Sequence, residues 1–300
     1  MAAIVTQGLT KRYGETVGIE GLDLEVPEGV IFGFLGPNGA GKTTTIRLLT
    51  GFIKPTAGTA TVLGANAWGE VPARSRLGFL PDVGGLYEEL TGQEMLDFLG
   101  SLQGRGCPLR ASLCERLELP AELLRRGIKS YSKGTRRKLG LIQALQHDPD
   151  LLILDEPTEG LDPLMQQALF SILEETRARG RTAFMSSHIL PEVERLCDQV
   201  AIVRGGNLVA VERVAELQRR KLRRLELRFP DGIPDAALAL PGTVLLERRD
   251  AEGWVALEVH GPIQPLLRAL APLAVEDMIF EQAHLEEIFL DFYQQQRGPS

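Results

Sequence analysis

Three hundred residues exceed the needs of one small core and point to one large domain with a smaller one, or to two of middling size. The net charge of −7 excludes a chain that grips nucleic acid over its whole surface, although a local basic patch remains open. Cys107, Cys114 and Cys197 are odd in number and lack CxxC spacing, which fits a reduced compartment better than a disulfide framework or a metal cluster. No basic-then-apolar leader opens the chain, and no window holds about 18 uninterrupted apolar residues, so neither a secretory signal nor a transmembrane helix is expected.

Over residues 1–30 apolar and polar positions alternate, as in "GLDLEVPEG", the pattern of half-buried antiparallel strands. "VIFGFLG" is instead continuously apolar and ends in glycine, which predicts a fully buried strand. Residues 83–148 read as helix-rich, with a capping box at Thr91 and Glu94 opening "TGQEMLDFLGSLQ". "LLILDEP" predicts a second buried strand, followed by a helix over "PLMQQALFSILEETRARG" that ends near Gly180. "TAFMSSH" reads as strand and "PEVERLCDQ" as helix, which completes an α/β domain to about residue 212. The run "QRRKLRR" then reads as a solvated linker or helix face, with an interaction patch as the alternative. Beyond it, "RLELRFP", "TVLLERRD" and "WVALEVHG" suggest strands, and "IQPLLRALAPL" and "HLEEIFLDFYQQ" suggest helices.

"GPNGAGKTT", Gly36 to Thr44, satisfies G-x-x-x-x-G-K-[ST] between a buried strand and a helix. Glycines at Gly36, Gly39 and Gly41, with Pro37, Asn38 and Ala40 between them, let successive backbone N–H groups turn inward on phosphate oxygens. The following helix adds the positive end of its dipole. In that setting Lys42 is expected to bridge the β- and γ-phosphates and the hydroxyl of Thr43 to ligate Mg²⁺.

Asp155 and Glu156 end a buried strand, where open α/β sheets place their ligands. Adjacent residues of a strand point to opposite sides, so the two carboxylates are expected to differ in task. Asp155 suits Mg²⁺, directly or through water, and Glu156 suits proton acceptance from an attacking water. His188 ends the next apolar strand, where it is either a satisfied structural residue or a hydrogen-bond partner of the γ-phosphate or the water.

These ordered motifs resemble the ATP-binding subunits of ABC transporters over about residues 4–215. "GPNGAGKTT" is similar to the Walker A loop, "LLILDEP" to the Walker B strand, "EGLD" to the D-loop and "SSHIL" to the switch-histidine region. "YSKGT" stands at the position of the Leu-Ser-Gly-Gly-Gln signature. The resemblance implies a P-loop NTPase (RecA-like) α/β core with an antiparallel β subdomain and a helical signature subdomain over about 83–148. These form an ATPase domain over 1–215, followed by a small accessory α+β domain over 216–300. It also implies that Tyr13 stacks on adenine, and that Thr44 is among the ATP-binding residues. Ser132 and Gly134 would contact the ATP of a second cassette, with Asp162 connecting the two sites. Arg136, Arg137 and Lys138 would then begin the following helix in a solvated or subunit-facing role.

Three regions depart from that family's pattern. Lys133 and Thr135 replace Gly and Gln of the signature, and Asp82 stands at the Q-loop position, where a carboxylate can reach Mg²⁺ through water. Glu159 precedes "GLD" in place of Ser or Thr. "QAHLEEIFLDFY" is similar to the C-terminal extension of ATPases that serve exporters of antibiotics, lipids or sodium.

The resemblance therefore implies Mg²⁺-dependent ATP hydrolysis by a subunit that pairs with a second ABC ATPase, as a homo- or heterodimer. That pair would sit in the cytoplasm against the inner face of the membrane and drive export through separate permease subunits, with residues 83–100 facing the permease. A non-transport ABC ATPase acting on nucleic acid or the ribosome is the alternative. No nucleic-acid partner is expected, because the chain carries one cassette and no heptad tract between 36 and 155. A nucleotide-gated module with little turnover is opposed by the intact set Lys42, Asp155, Glu156 and His188.

Overall fold

Two alternating strands open the chain, β1 (Ala2–Tyr13) and β2 (Thr16–Pro27), paired antiparallel with Val5 opposite Glu25 and Tyr13 opposite Thr16. The computed structural model describes residues 1–69, 74–82, 85–104, 106–219 and 223–282. Leu22, Leu24 and Val26 point inward from β2 while their neighbours Asp23 and Glu25 face out, so period-2 alternation fixes which face is buried. On its other side β1 pairs with β4 (Ala57–Val62), and β5 (Ala65–Asn66) completes an antiparallel sheet of order β2-β1-β4-β5.

The continuously apolar runs build the second sheet. β3 (Ile31–Leu35), β7 (Leu151–Asp155) and β8 (Thr182–Ser187) are buried at every position, which is why they show no alternation. With β6 (Leu77–Leu80), β9 (Gln199–Arg204) and β10 (Asn207–Arg213) they form a six-stranded sheet of order β10-β9-β3-β8-β7-β6. All neighbours are parallel except β10 with β9. Phe184 sits at its centre, with ring centroids 5.9 Å from Phe32 and 5.3 Å from Phe34. The same core takes in Ile4, Leu22 and Leu24 of the antiparallel sheet. Because β3, β6, β7 and β8 run the same way, their C-terminal ends deliver Gly36, Asp82, Glu156 and His188 to one edge.

Helices fill the span between β6 and β7: α2 (Gly92–Gln103), α3 (Arg110–Arg116), α4 (Ala121–Leu124) and α5 (Lys133–Leu145), with α1 (Lys42–Leu49) earlier in the chain. The Thr91 hydroxyl accepts the Glu94 N–H at 3.2 Å and the Glu94 carboxylate accepts the Thr91 N–H at 2.8 Å, the reciprocal box expected from the sequence. α5 is tied to the sheet by Gln143, whose amide donates to the Phe79 carbonyl at 2.6 Å. After β7, α6 (Pro163–Ala178) ends one residue before Arg179 and Gly180, the latter at φ 78°. The helix expected over "PEVERLCDQ" is α7 (Leu190–Leu196). β9 and β10 follow it, neither of which is marked by a motif.

By its packing the chain divides into units Met1–Val214 and Ala215–Ser300, with α8 (Val214–Arg219) spanning the division. The second unit holds β11 (Arg223–Arg228), α9 (Asp235–Leu238), β12 (Thr243–Arg249), β13 (Trp254–Val259), α10 (Ile263–Leu270) and β14 (Asp277–Gln282). Its antiparallel sheet has the order β12-β13-β11-β14 and its core includes Leu225, Leu227, Val255, Leu257 and Leu266. The helix expected over "HLEEIFLDFYQQ" and positions 220–222 of the basic run lie outside the described residues.

Candidate functional site

The loop from Gly36 to Gly41 connects β3 to α1 and holds its curvature through glycine. Gly39 and Gly41 adopt φ 80° and 102°, and a Cβ at Gly41 would lie 2.6 Å from the Gly18 carbonyl oxygen. Lys42 folds back over the loop, its ammonium donating to the Gly36 carbonyl at 2.7 Å and to the Pro37 carbonyl at 3.3 Å. The loop opens on a cleft of about 640 Å³ lined by residues Pro37 to Thr44, with Val17, Gly18, Asp82, Glu156, Glu159 and His188 around them. A glycine-curved loop running into a helix N-terminus, with one buried ammonium, suits a polyphosphate.

Glu156 faces that loop from the end of β7. Its Oε1 lies 3.2 Å from Lys42 Nζ, and its Oε2 is hydrogen-bonded to His188 Nδ1 at 2.9 Å. Its backbone carries φ 48°, a left-handed conformation uncommon for a residue with a side chain. Ser186 fixes both neighbours, accepting the Glu156 N–H at 3.0 Å and donating to Asp155 Oδ1 at 2.5 Å. Asp155 is 2% exposed and stands behind the cleft wall, whereas Asp82 and Glu156 line it. Thr43 and Asp82 lie on the wall with Asp155 behind it, and hydroxyl and carboxylate oxygens are the donor types a hard divalent cation takes.

The remaining expected residues sit in other surroundings. The exposed Tyr13 ring carries the Lys11 ammonium 5.2 Å from its centroid and stands against Gly18, at the rim of the cleft. Ser132 caps α5, its hydroxyl accepting the Thr135 N–H at 3.2 Å, and Gly134 packs where a Cβ would lie 3.0 Å from the Gly160 carbonyl. Neither lines the cleft around Lys42. Asp162 caps α6, accepting the N–H groups of Leu164 at 3.1 Å and Met165 at 3.0 Å.

Arg137 corrects the sequence reading. It is 7% exposed rather than solvated, and its guanidinium donates to the carbonyls of Pro81, Asp82, Asp155, Glu156 and Pro157. On the neighbouring positions Arg136 reaches Glu88 at 2.5 Å and Lys138 reaches Glu118 at 3.7 Å. Ser186 was also unread from the sequence, since a serine in an apolar strand carries no motif of its own.

The three departures from the ABC pattern meet in space. Lys133 Nζ lies 2.5 Å from Glu159 Oε1, and Asp82 and Glu159 line the same cleft. Burial, then the charges of Glu159 and Asp155, push the Asp82 carboxyl up. The hydrogen bond from Lys133 holds the Glu159 carboxyl down. Behind His188, burial raises the carboxyl of Glu192, which accepts a hydrogen bond from Ser187 at 3.1 Å.

The chain is also similar to known proteins. The ABC transporter family model matches residues 19–159. The bacitracin transport ATP-binding protein BcrA of Enterococcus faecalis is 37% identical, over 76% of this chain and 75% of its own length. The daunorubicin/doxorubicin resistance ATP-binding protein DrrA of Streptomyces peucetius is 35% identical, over 96% of this chain and 91% of its own. A solved structure of an ATP-binding subunit of an ABC transporter superposes with a TM-score of 0.67 at 29% identity, covering 73% of this chain and 92% of that one. A phosphate loop facing a strand-end glutamate, on a chain so related over nearly its full length, belongs to the ABC transporter family as an ATP-binding, ATP-hydrolysing subunit.

Proposed function

We propose that this subunit powers export through separate membrane permease subunits, working as half of a pair of cassettes. Support for export comes from the relatives, whose names include bacitracin transport, daunorubicin/doxorubicin resistance and, at 34% identity over 95% of this chain, Nod factor export in Ralstonia nicotianae. No helix among the described residues is long and apolar enough to cross a membrane, so the path for the substrate belongs to the partner chains. The ATPase would work against the inner face of that membrane.

The observation that carries the catalytic reading is Glu156, held between Lys42 at 3.2 Å and His188 at 2.9 Å in the mouth of the phosphate loop. As the γ-phosphate enters, Lys42 exchanges the carboxylate for phosphate oxygens and Glu156 is freed toward the water behind them. The water oxygen bonds to the γ-phosphorus, the bond to the bridging oxygen of ADP breaks, and the water proton passes to Glu156. His188 holds Glu156 Oε2 in place and lines the same cleft. Thr43 and Asp82, with Asp155 behind, would hold Mg²⁺, which neutralises charge on the β- and γ-phosphates.

Ser132 and Gly134 lie away from the Lys42 cleft, which supports their acting on the nucleotide of the partner, and Asp162 would connect the two sites. The test is hydrolysis per subunit against protein concentration, alongside the measured oligomeric state. Turnover that climbs as dimers form supports the reading. Full turnover by a demonstrated monomer removes it.

A further inference from the structure

Arg137 stands on α5, the helix whose N-cap is Ser132, and is buried there to 7% exposure. It reaches into two segments that are far apart in sequence. Nη1 donates to the carbonyls of Pro81 at 2.7 Å and Asp82 at 3.1 Å, after β6. Nη2 donates to Asp155 at 2.6 Å and to Glu156, and Nε to Pro157 at 3.4 Å, after β7. One planar cation therefore satisfies backbone acceptors on both sides of the left-handed residue Glu156. Such a conformation persists only where its surroundings hold it.

We infer that Arg137 is a positioning residue for hydrolysis: its guanidinium fixes the backbone of Glu156 and Asp82, and so aims the Glu156 carboxylate at Lys42 and His188. Lysine is a poor substitute, because a single ammonium with three donors cannot span carbonyls that a forked, planar group meets together. The side chain also joins the helix that begins at Ser132 to the residue that takes the proton. A shift of α5 is thereby transmitted to the hydrolytic geometry of the subunit's own site. This inference rests on Glu156 being the proton acceptor, so the test carries a separate control for that assignment.

The experiment compares full-length wild type with Arg137→Lys, Arg137→Met, Glu156→Gln and the double variant Glu156→Gln/Arg137→Met. It records kcat and KM for Mg-ATP, affinity for a fluorescent ATP analogue, single-turnover rates and melting temperature. For Arg137→Met the expectation is a kcat lower by about 10- to 100-fold with KM and analogue affinity within about threefold of wild type, the cost of a misplaced catalytic group. Arg137→Lys falls between, and the single-turnover rate of the double variant equals that of Glu156→Gln. A wild-type kcat in Arg137→Met, or a further loss in the double variant as large as in the wild-type background, overturns the inference. Should Arg137→Met fail to fold, Arg137→Lys decides by itself: an unchanged kcat overturns the inference and a loss at constant KM supports it. Undiminished turnover in Glu156→Gln would instead remove the base assignment, whatever Arg137 does.

Discussion

Lys133 Nζ and Glu159 Oε1 lie 2.5 Å apart, an ion pair that joins the signature turn to the D-loop at two positions where this chain departs from the ABC pattern. Asp82, the third departure, lines the same cleft as that glutamate. Read one at a time, the substitutions place charge beside a catalytic pocket without reason. Together they compensate, since the charge added by Glu159 is met by the charge added at Lys133.

That compensation is local. Both side chains are well exposed, at 73% and 44%, so the pair gains little over water. Lys133→Gly is therefore expected to change unfolding free energy by less than about 1 kcal/mol in a urea titration. A several-fold larger loss would mean that the pair supports the fold itself.

Asp82 makes stability depend on pH. Its carboxyl is raised above the ordinary value of 3.8 by burial and then by Glu159 and Asp155, so the folded chain holds this proton more tightly than the unfolded chain. The contribution of Asp82 to stability is then most favourable below about 3.8 and is lost as pH rises through the raised value. Asp82→Asn should melt higher than wild type at pH 7, with the gap narrowing as the pH falls toward 4. A gap that widens on acidification contradicts the assignment.

Cys197 separates from the other thiols by environment. It is 7% exposed and burial raises its thiol strongly, while Cys107 and Cys114 are only half-buried. In the native chain, maleimide should label Cys107 and Cys114 ahead of Cys197, which reacts once denaturant is added. Mass analysis of the labelled peptides checks this, and early labelling of Cys197 would contradict its packing.

Gly36 is required by contact rather than by its dihedral. A Cβ there would lie 2.4 Å from the Val203 carbonyl and 3.0 Å from Ala40 Cβ. Gly36→Ala is expected to cost about 1–3 kcal/mol of stability and to weaken binding of a fluorescent ATP analogue, because β3 and the loop must part from β9. Wild-type stability and affinity in that variant would show that the loop adapts.

The legible part of this site is the part that chemistry writes locally. A phosphate loop needs its glycines, lysine and threonine within nine residues, and a carboxylate pair at the end of an apolar strand marks the sheet edge. Arg137 was illegible for the converse reason. In "TRRKLG" it looks like its neighbours, but about 100° of helical rotation per residue turns it away from Arg136 and Lys138, and its partners are backbone carbonyls, which leave no trace in a sequence. The Lys133–Glu159 pair was hidden likewise, since its members are far apart along the chain. In the second unit β11, β12 and β13 were readable as alternating runs, whereas β14 lacked boundary signals and emerged only as the partner of β11.

The most direct measurement is the steady-state rate of Mg-ATP hydrolysis by Glu156→Gln beside its affinity for a fluorescent ATP analogue. If Glu156 takes the proton of the attacking water, turnover falls by about 10²- to 10⁴-fold, while Lys42 and the loop still bind the nucleotide. Undiminished turnover with intact binding would contradict the account at its centre.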